Sequence, residues 1–303
     1  MSKSHVDISV NDSPFSESPV VPTLLARDKK ISFRCYKGVK CFNACCSNID
    51  ITLTPYDIIR LKNRLDVDSG QFLQEYTVPF EFEKDGIAGV KMKPVEGGTA
   101  CRFMTEEGCS VYEDRPTACR YYPVGMVSMR KQDEYTDSNA YALVEEEHCL
   151  GHQEDRTLTI DEYREEQGLF DYDEYSRGWR QLILKKKSSG ATIGKPSLRS
   201  RQLFFMACYN IDQFRTFVAS DGFQQSFDIE EERMANILLD DVALMLFGFD
   251  FLKHVLFGEE QIKLKEGVME QRLAKDRAIL EQRINQKVAE RNVDADIEPF
   301  DLS

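Results

Sequence analysis

Ile58, Leu61 and Leu65 recur at helical spacing behind Thr54-Pro55, a pair suited to an N-cap and a first helical position. The pattern predicts a helix from Thr54 to Leu65, then a short one from Ser69 to Tyr76 with Phe72 and Leu73 facing inward. The period then shortens. Phe80 to Lys84 and Ile87 to Met92 flank Asp85-Gly86, a strong hairpin signal. Cys101 to Met104 and Ser110 to Tyr112 flank Thr105-Glu106-Glu107-Gly108 as a second hairpin. Val124 to Arg130 and Ala140 to Glu145 are expected to pair around a polar loop, Lys131 to Asn139.

Beyond residue 157 helical spacing dominates, through Tyr163, Leu182 to Leu184, Leu203 to Met206 and Phe214 to Val218. Asp228 and Glu231 look like the start of one long buried helix, Ile229 to Phe257, stopped by Gly258. A charged helix over 259–291 carries a thin apolar seam of Met269, Leu273, Leu280, Ile284 and Val288, expected to dock on the chain's own body. The expected fold class is α+β: a small cysteine-rich metal-binding domain of short hairpins and helices, followed by an all-α domain. The divisions fall at 1–30, a flexible tail; 31–156, the cysteine-cluster domain; 157–258, the helical domain; and 259–303, the charged helix and tail.

Charge narrows the function. A formal net charge of −13 disfavours a nonspecific grip on nucleic acid or an anionic membrane. Lys185 to Lys187, the compact basic run, reads as a solvated helix end. The longest apolar run, Val242 to Phe251, contains Asp250 and falls far short of the roughly 20 residues of a membrane span. Met1 to Ala26 has no apolar stretch of signal-peptide length. A cytoplasmic protein is expected, without nucleic-acid or membrane partners.

The chemistry lies in cysteine. Eight of the nine fall in the first half: Cys35, Cys41, Cys45, Cys46, Cys101, Cys109, Cys119 and Cys149. Thiolates select zinc, copper(I) or iron–sulfur clusters, and eight can complete two four-coordinate centres or one polynuclear one. The rival is a disulfide framework, which a reducing compartment disfavours. Cys41 and Cys45 would share one face if their segment is helical, while the adjacent Cys46 points elsewhere and hints at polynuclearity. Cys208 sits on an apolar helical pattern and reads as a buried core thiol, and the phenylalanines from Phe204 to Phe227 read as helical core.

The stretch from Cys101 to Pro123, with Cys101-Arg102-Phe103, Gly108-Cys109, Val111-Tyr112, Arg115-Pro116 and Cys119-Arg120-Tyr121-Tyr122-Pro123, resembles the YkgJ-type cysteine-cluster family, a zinc- or iron-chelating domain. Cys41 to Cys46, Leu53-Thr54 and Asp57-Ile58 extend the resemblance over roughly residues 33–150. The family opens C-x2-C-x2-C-C, whereas this chain has Cys35-x5-Cys41-x3-Cys45-Cys46, so the local loop differs. The resemblance implies the first seven of these cysteines as metal ligands, Cys149 as the eighth, and zinc or iron as cofactor, an iron–sulfur cluster included.

Arg115 and Arg120 bracket Cys119 and are expected to offset thiolate charge. The alternative pairs Arg115 with Glu113 or Asp114 on the surface. His148 and His152 flank Cys149 as spare ligands or solvated side chains, and Gly190 to Pro196 falls one residue short of a phosphate-binding loop.

Three functions follow. The first is an iron–sulfur or iron protein of redox or protein-modifying type. The second is a structural zinc module presenting its helical half to a protein partner. The third rests on resemblance alone, since flagellin lysine methylases share a related cysteine cluster. No residue pattern names a general base, so any catalysis would belong to the metal centre.

Overall fold

The computed structural model describes residues 24–82, 86–131, 134–188 and 196–295. Residues 1–23, Asp85, Gly190 to Lys195 and the last eight residues lie outside them.

The first half alternates short strands with short helices. Strands β1 (Leu24–Leu25) and β2 (Lys30–Ser32) precede the first cysteines, of which Cys45 and Cys46 lie on a 3-10 turn, Ala44–Cys46. The segment is therefore not an α-helix, because Asn43 has φ 67° and breaks any helical run from Cys41. Helix α1 (Pro55–Leu65) begins as expected: Thr54 and Asp57 form a reciprocal capping box, and Pro55 occupies the first turn. Helix α2 (Ser69–Tyr76) is capped by the Asp68 side chain. Leu53 and Leu61 are wholly buried at about 1.5–3 kcal/mol each.

Strands β3 (Thr77–Phe82) and β4 (Ile87–Met92) form the first expected hairpin, in register from Thr77↔Met92 to Phe82↔Ile87. A tighter hairpin follows in β5 (Met104–Thr105) and β6 (Gly108–Cys109), then helix α3 (Thr117–Tyr121) behind Pro116. Strands β7 (Val124–Lys131) and β8 (Glu134–Leu143) pair antiparallel, with β1 on the outer edge of β8. Much of the expected polar loop 131–139 is thus strand, because the ladder continues to Lys131↔Glu134. Strand β9 (Thr157–Thr159) closes back on β2.

The second half is helical: α4 (Ile160–Glu166), α5 (Leu169–Ser188), α6 (Leu198–Tyr209), α7 (Ile211–Ala219), α8 (Asp221–Ser226), α9 (Glu231–Leu239), α10 (Asp241–Phe257) and α11 (Val268–Ala295). The mixed α+β class is as expected. The single helix expected over 229–257 is instead two, since Asp240 leaves helical geometry (φ −111°, ψ 124°) and its carboxylate caps α10 through Ala243 N–H. Gly258 stops α10 in the left-handed conformation.

Two buried clusters hold these elements. The larger joins Leu53, Ile58 and Phe103 with Trp179, Phe214 and Phe251, and so draws on both sides of residue 157. Cys208 and the phenylalanines of α6 to α8 lie in or against it, as their apolar surroundings suggested. The smaller contains Ile31, Phe33, Tyr121, Tyr141, Ile160 and Tyr163. The expected docking of the α11 seam is not observed: Met269, Leu273, Leu280 and Ile284 are each more than half exposed. Lys185, expected to be solvated, pairs with Glu259. No helix among the described residues is long and apolar enough to cross a membrane.

Candidate metal centre

Local pairing sets cysteine-bearing segments beside one another. The Leu150 N–H donates to Cys41 Sγ at 3.2 Å, and the Arg34 N–H donates to the Gly151 carbonyl at 3.0 Å. Cys35, Cys41 and Cys149 are thereby neighbours. Gly151 permits this approach, because a Cβ there would lie 2.7 Å from the Phe33 ring and 2.9 Å from the Arg34 carbonyl.

Cys46 belongs to another pairing. Its carbonyl accepts the Cys101 N–H at 2.7 Å, while Ser110 N–H to Phe103 O at 2.8 Å closes the turn that sets Cys109 beside Cys101. Cys119, on α3, is placed by Asp57, whose Oδ1 accepts from the Thr117 N–H at the start of that helix. Asn43 Nδ2 donates to Thr105 O at 2.8 Å and joins the first knuckle to the hairpin.

All nine cysteines are free thiols, and Cys45 Sγ lies 3.9 Å from Cys46 Sγ, far beyond a disulfide bond. Their electrostatics show the crowding. Burial, and then the charges of Cys45, Cys41 and Cys149, push the Cys35 thiol up to about 11. Cys119 is raised by burial and by Cys101, and Cys109 by burial with Cys101 a lesser cause. Cys45 runs the other way, lowered to about 7 chiefly by its hydrogen bond with Cys46 against the effect of burial. The Cys46 thiol is raised correspondingly. Cys45 is therefore held toward the thiolate form.

The donor set is that of a zinc or iron–thiolate centre. Backbone donors serve it too: Phe103 and Met104 hydrogen-bond Cys101, and Val111 hydrogen-bonds Cys109, each favouring the thiolate. Among the described residues, no three Cys, His, Asp or Glu side chains converge closely enough to enclose an ion.

The two arginines divide differently from the expectation. Arg120 donates to the carbonyl oxygens of Arg115 at 3.1 Å, Gln167 at 2.7 Å and Glu113, and stacks over Tyr172 at 4.3 Å. It is a buried structural clamp. Arg115 is the guanidinium whose charge lowers Cys35 and Cys109, although burial dominates both thiols. It is not paired with Glu113 or Asp114 but donates to Tyr112 O and Gln167 Oε1. Asp114 instead accepts from Arg60 of α1.

His148 faces Glu146 at 3.6 Å, and His152 Nε2 lies 3.2 Å from the Val144 carbonyl, so each histidine has a partner other than the cysteines. Sequence reasoning missed Tyr122, whose hydroxyl lies 2.7 Å from Glu146 Oε2 and also hydrogen-bonds Cys149. Its one signal was its place in Cys119-Arg120-Tyr121-Tyr122-Pro123. Asp57 was visible only as part of Leu53-Thr54 and Asp57-Ile58, with no hint of its reach to α3.

No curated protein and no solved structure matches the chain. Residues 34–175 match the family model CxxCxxCC, described as "Putative zinc- or iron-chelating domain". The match starts beside Cys35, takes in all eight clustered cysteines and runs into α5. The similarity to this family of zinc- or iron-chelating cysteine-cluster domains therefore covers residues 34–175.

Proposed function

We propose that Cys35, Cys41, Cys45, Cys46, Cys101, Cys109, Cys119 and Cys149 hold zinc or iron as thiolates. The observation that carries this is the set of backbone N–H groups aimed at sulfur, from Leu150 to Cys41, from Phe103 and Met104 to Cys101, and from Val111 to Cys109. Such donors offset the negative charge of a metal–thiolate centre and tune its potential, whereas the core thiol Cys208 is raised by burial. The first form of this function is iron, an iron–sulfur cluster included, with a redox or protein-modifying role in the cytoplasm. Exposure of Cys35 and Cys45 supports it, since solvent and a partner can reach the centre.

The second reading is a structural zinc module that acts as a scaffold for a protein partner. The uncovered seam of α11 favours it. Purification of the full chain without oxygen, followed by elemental analysis and an absorption spectrum, separates the readings. Brown protein with iron and acid-labile sulfide supports the first. Colourless protein with stoichiometric zinc supports the second, and protein free of both metals sinks the thiolate assignment altogether.

A further inference from the structure

We propose that the exposed face formed by residues 27–40, with Cys35 at its middle, docks an acidic segment of a partner protein. Such a partner deepens the redox or protein-modifying reading above, yet its binding is measured apart from metal.

Burial makes the face. Ile31 and Phe33 are buried in the smaller core, so strand alternation turns Lys30, Ser32 and Arg34 outward together. Beyond them, the turn closed by Val39 N–H to Tyr36 O at 3.1 Å buries Val39 and leaves Tyr36, Lys37 and Lys40 exposed. Arg27 and Lys29 continue the exposed run before β2, where their carbonyls accept the Asp161 and Ile160 N–H groups at the start of α4. Cys35 is exposed among them.

Charge sets the partner. Arg27, Lys29, Lys30, Arg34, Lys37 and Lys40 stand against the single acid Asp28 in this segment, within a chain of net charge −13. Neighbouring acids are engaged elsewhere: Asp161 pairs with Arg164 at 2.5 Å, Glu166 with Arg156, and Glu162 accepts from Thr159. Lys37 meets Glu107 on the surface. Among the described residues, Arg27, Lys29, Lys30, Arg34 and Lys40 have no carboxylate at ion-pair distance. Cations gathered in this way steer an acidic surface toward them.

An acidic protein segment fits this face better than nucleic acid or a membrane, because the anionic remainder of the chain repels a polyanion that extends past it. Arg34 also lies 4.8 Å over the ring of Tyr36. The face therefore carries an aromatic ring and a guanidinium, the residue types that anchor protein interfaces.

The test is fluorescence anisotropy of labelled poly-L-glutamate titrated with the reduced full chain, metal-free and again loaded with zinc. The parent should bind, and more weakly as salt is raised. Lys29→Glu/Arg34→Glu/Lys37→Glu should weaken binding about tenfold or more, whereas Lys93→Glu/Arg199→Glu/Lys265→Glu, the same change of charge on exposed residues elsewhere, should stay within about twofold. Lysine acetylation of the parent needs no variant: polyglutamate should protect Lys29, Lys30, Lys37 and Lys40 and leave Lys93 and Lys265 reactive. No binding by the parent, equal losses in the two variants, or protection of neither set would overturn the proposal. So would tighter binding of poly(U) or of phosphatidylserine vesicles, or a dimer in sedimentation that salt and the first variant both dissolve, since each names a different occupant. None of these results touches the thiolate reading, and a chain that binds polyglutamate but never takes metal would overturn that reading alone.

Discussion

Asp57 Oδ1 accepts both the backbone N–H and the hydroxyl of Thr117, each at 2.7 Å, and so fastens the first turn of α1 to the first turn of α3. Its Oδ2 accepts the Thr54 N–H at 2.8 Å. One wholly buried carboxylate thus satisfies the orphan donors of two helix starts. Asp57→Ala should cost about 3 kcal/mol, and Asp57→Asn less because it keeps one acceptor. Bound metal should fall with stability, since α3 carries Cys119. Denaturant midpoints with metal content check this, and an Asp57→Ala protein of parental stability would contradict it.

Arg120 and Arg115 should separate by readout. Arg120→Leu removes the donor to three carbonyls and should destabilise the fold by roughly 3 kcal/mol or more, leaving the pH at which remaining folded protein releases metal unchanged. Arg115→Gln withdraws a cation that lowers Cys35 and Cys109, so protons compete better and metal should be lost at a higher pH. Bound metal against pH for both variants decides the matter. Identical curves for Arg115→Gln and the parent would remove Arg115 from the centre.

The metal-free protein should be sensitive to alkali. Cys35 is raised from 9.0 to about 11, so its folded form keeps a proton that the unfolded chain releases. That contribution is intact below pH 9 and is lost as pH rises through 11. Cys45 opposes it, because a thiol lowered to about 7 contributes stability above pH 9 that is lost as pH falls through 7. Cys46, Cys101, Cys109 and Cys119 are all raised, so the net loss lies on the alkaline side. Metal reverses the sign, since bound thiolates must stay deprotonated and acid competes for them. Denaturation midpoints across pH 6–11, with and without zinc, should slope in opposite directions.

Cys208→Ser should leave metal content at the parental value and cost about 1–3 kcal/mol, because it places a hydroxyl in the larger core without an evident partner. Loss of metal in this variant would mean that Cys208 communicates with the cluster, contrary to its burial among aromatic side chains.

Local signals were legible where one segment contains its own cause. Thr54, Pro55 and Asp57 announce α1 within four residues, and Gly258 announces the end of α10. The break between α9 and α10 was hidden because apolar spacing continues across it, and only the Asp240 cap with its tertiary setting stops the helix. Within the candidate centre, the cysteines and their family resemblance could be read directly. Which sulfurs are neighbours could not, since Cys46 meets Cys101 through a backbone bond between segments 55 residues apart. Arg115 and Arg120 look alike in sequence, and only their surroundings make one a cation near sulfur and the other a clamp on carbonyls.

The pairing of β2 with β9 also sets an order of events during synthesis. Lys30 meets Thr159 across more than a hundred intervening residues, so loop closure is entropically costly and must await the late strand. A ribosome releasing residues one at a time exposes Cys46, Cys101 and Cys119 well before Thr157 emerges. Metal offered early would therefore meet the hairpin and α3 first, while the edge bearing Cys35 waits for its partner strand.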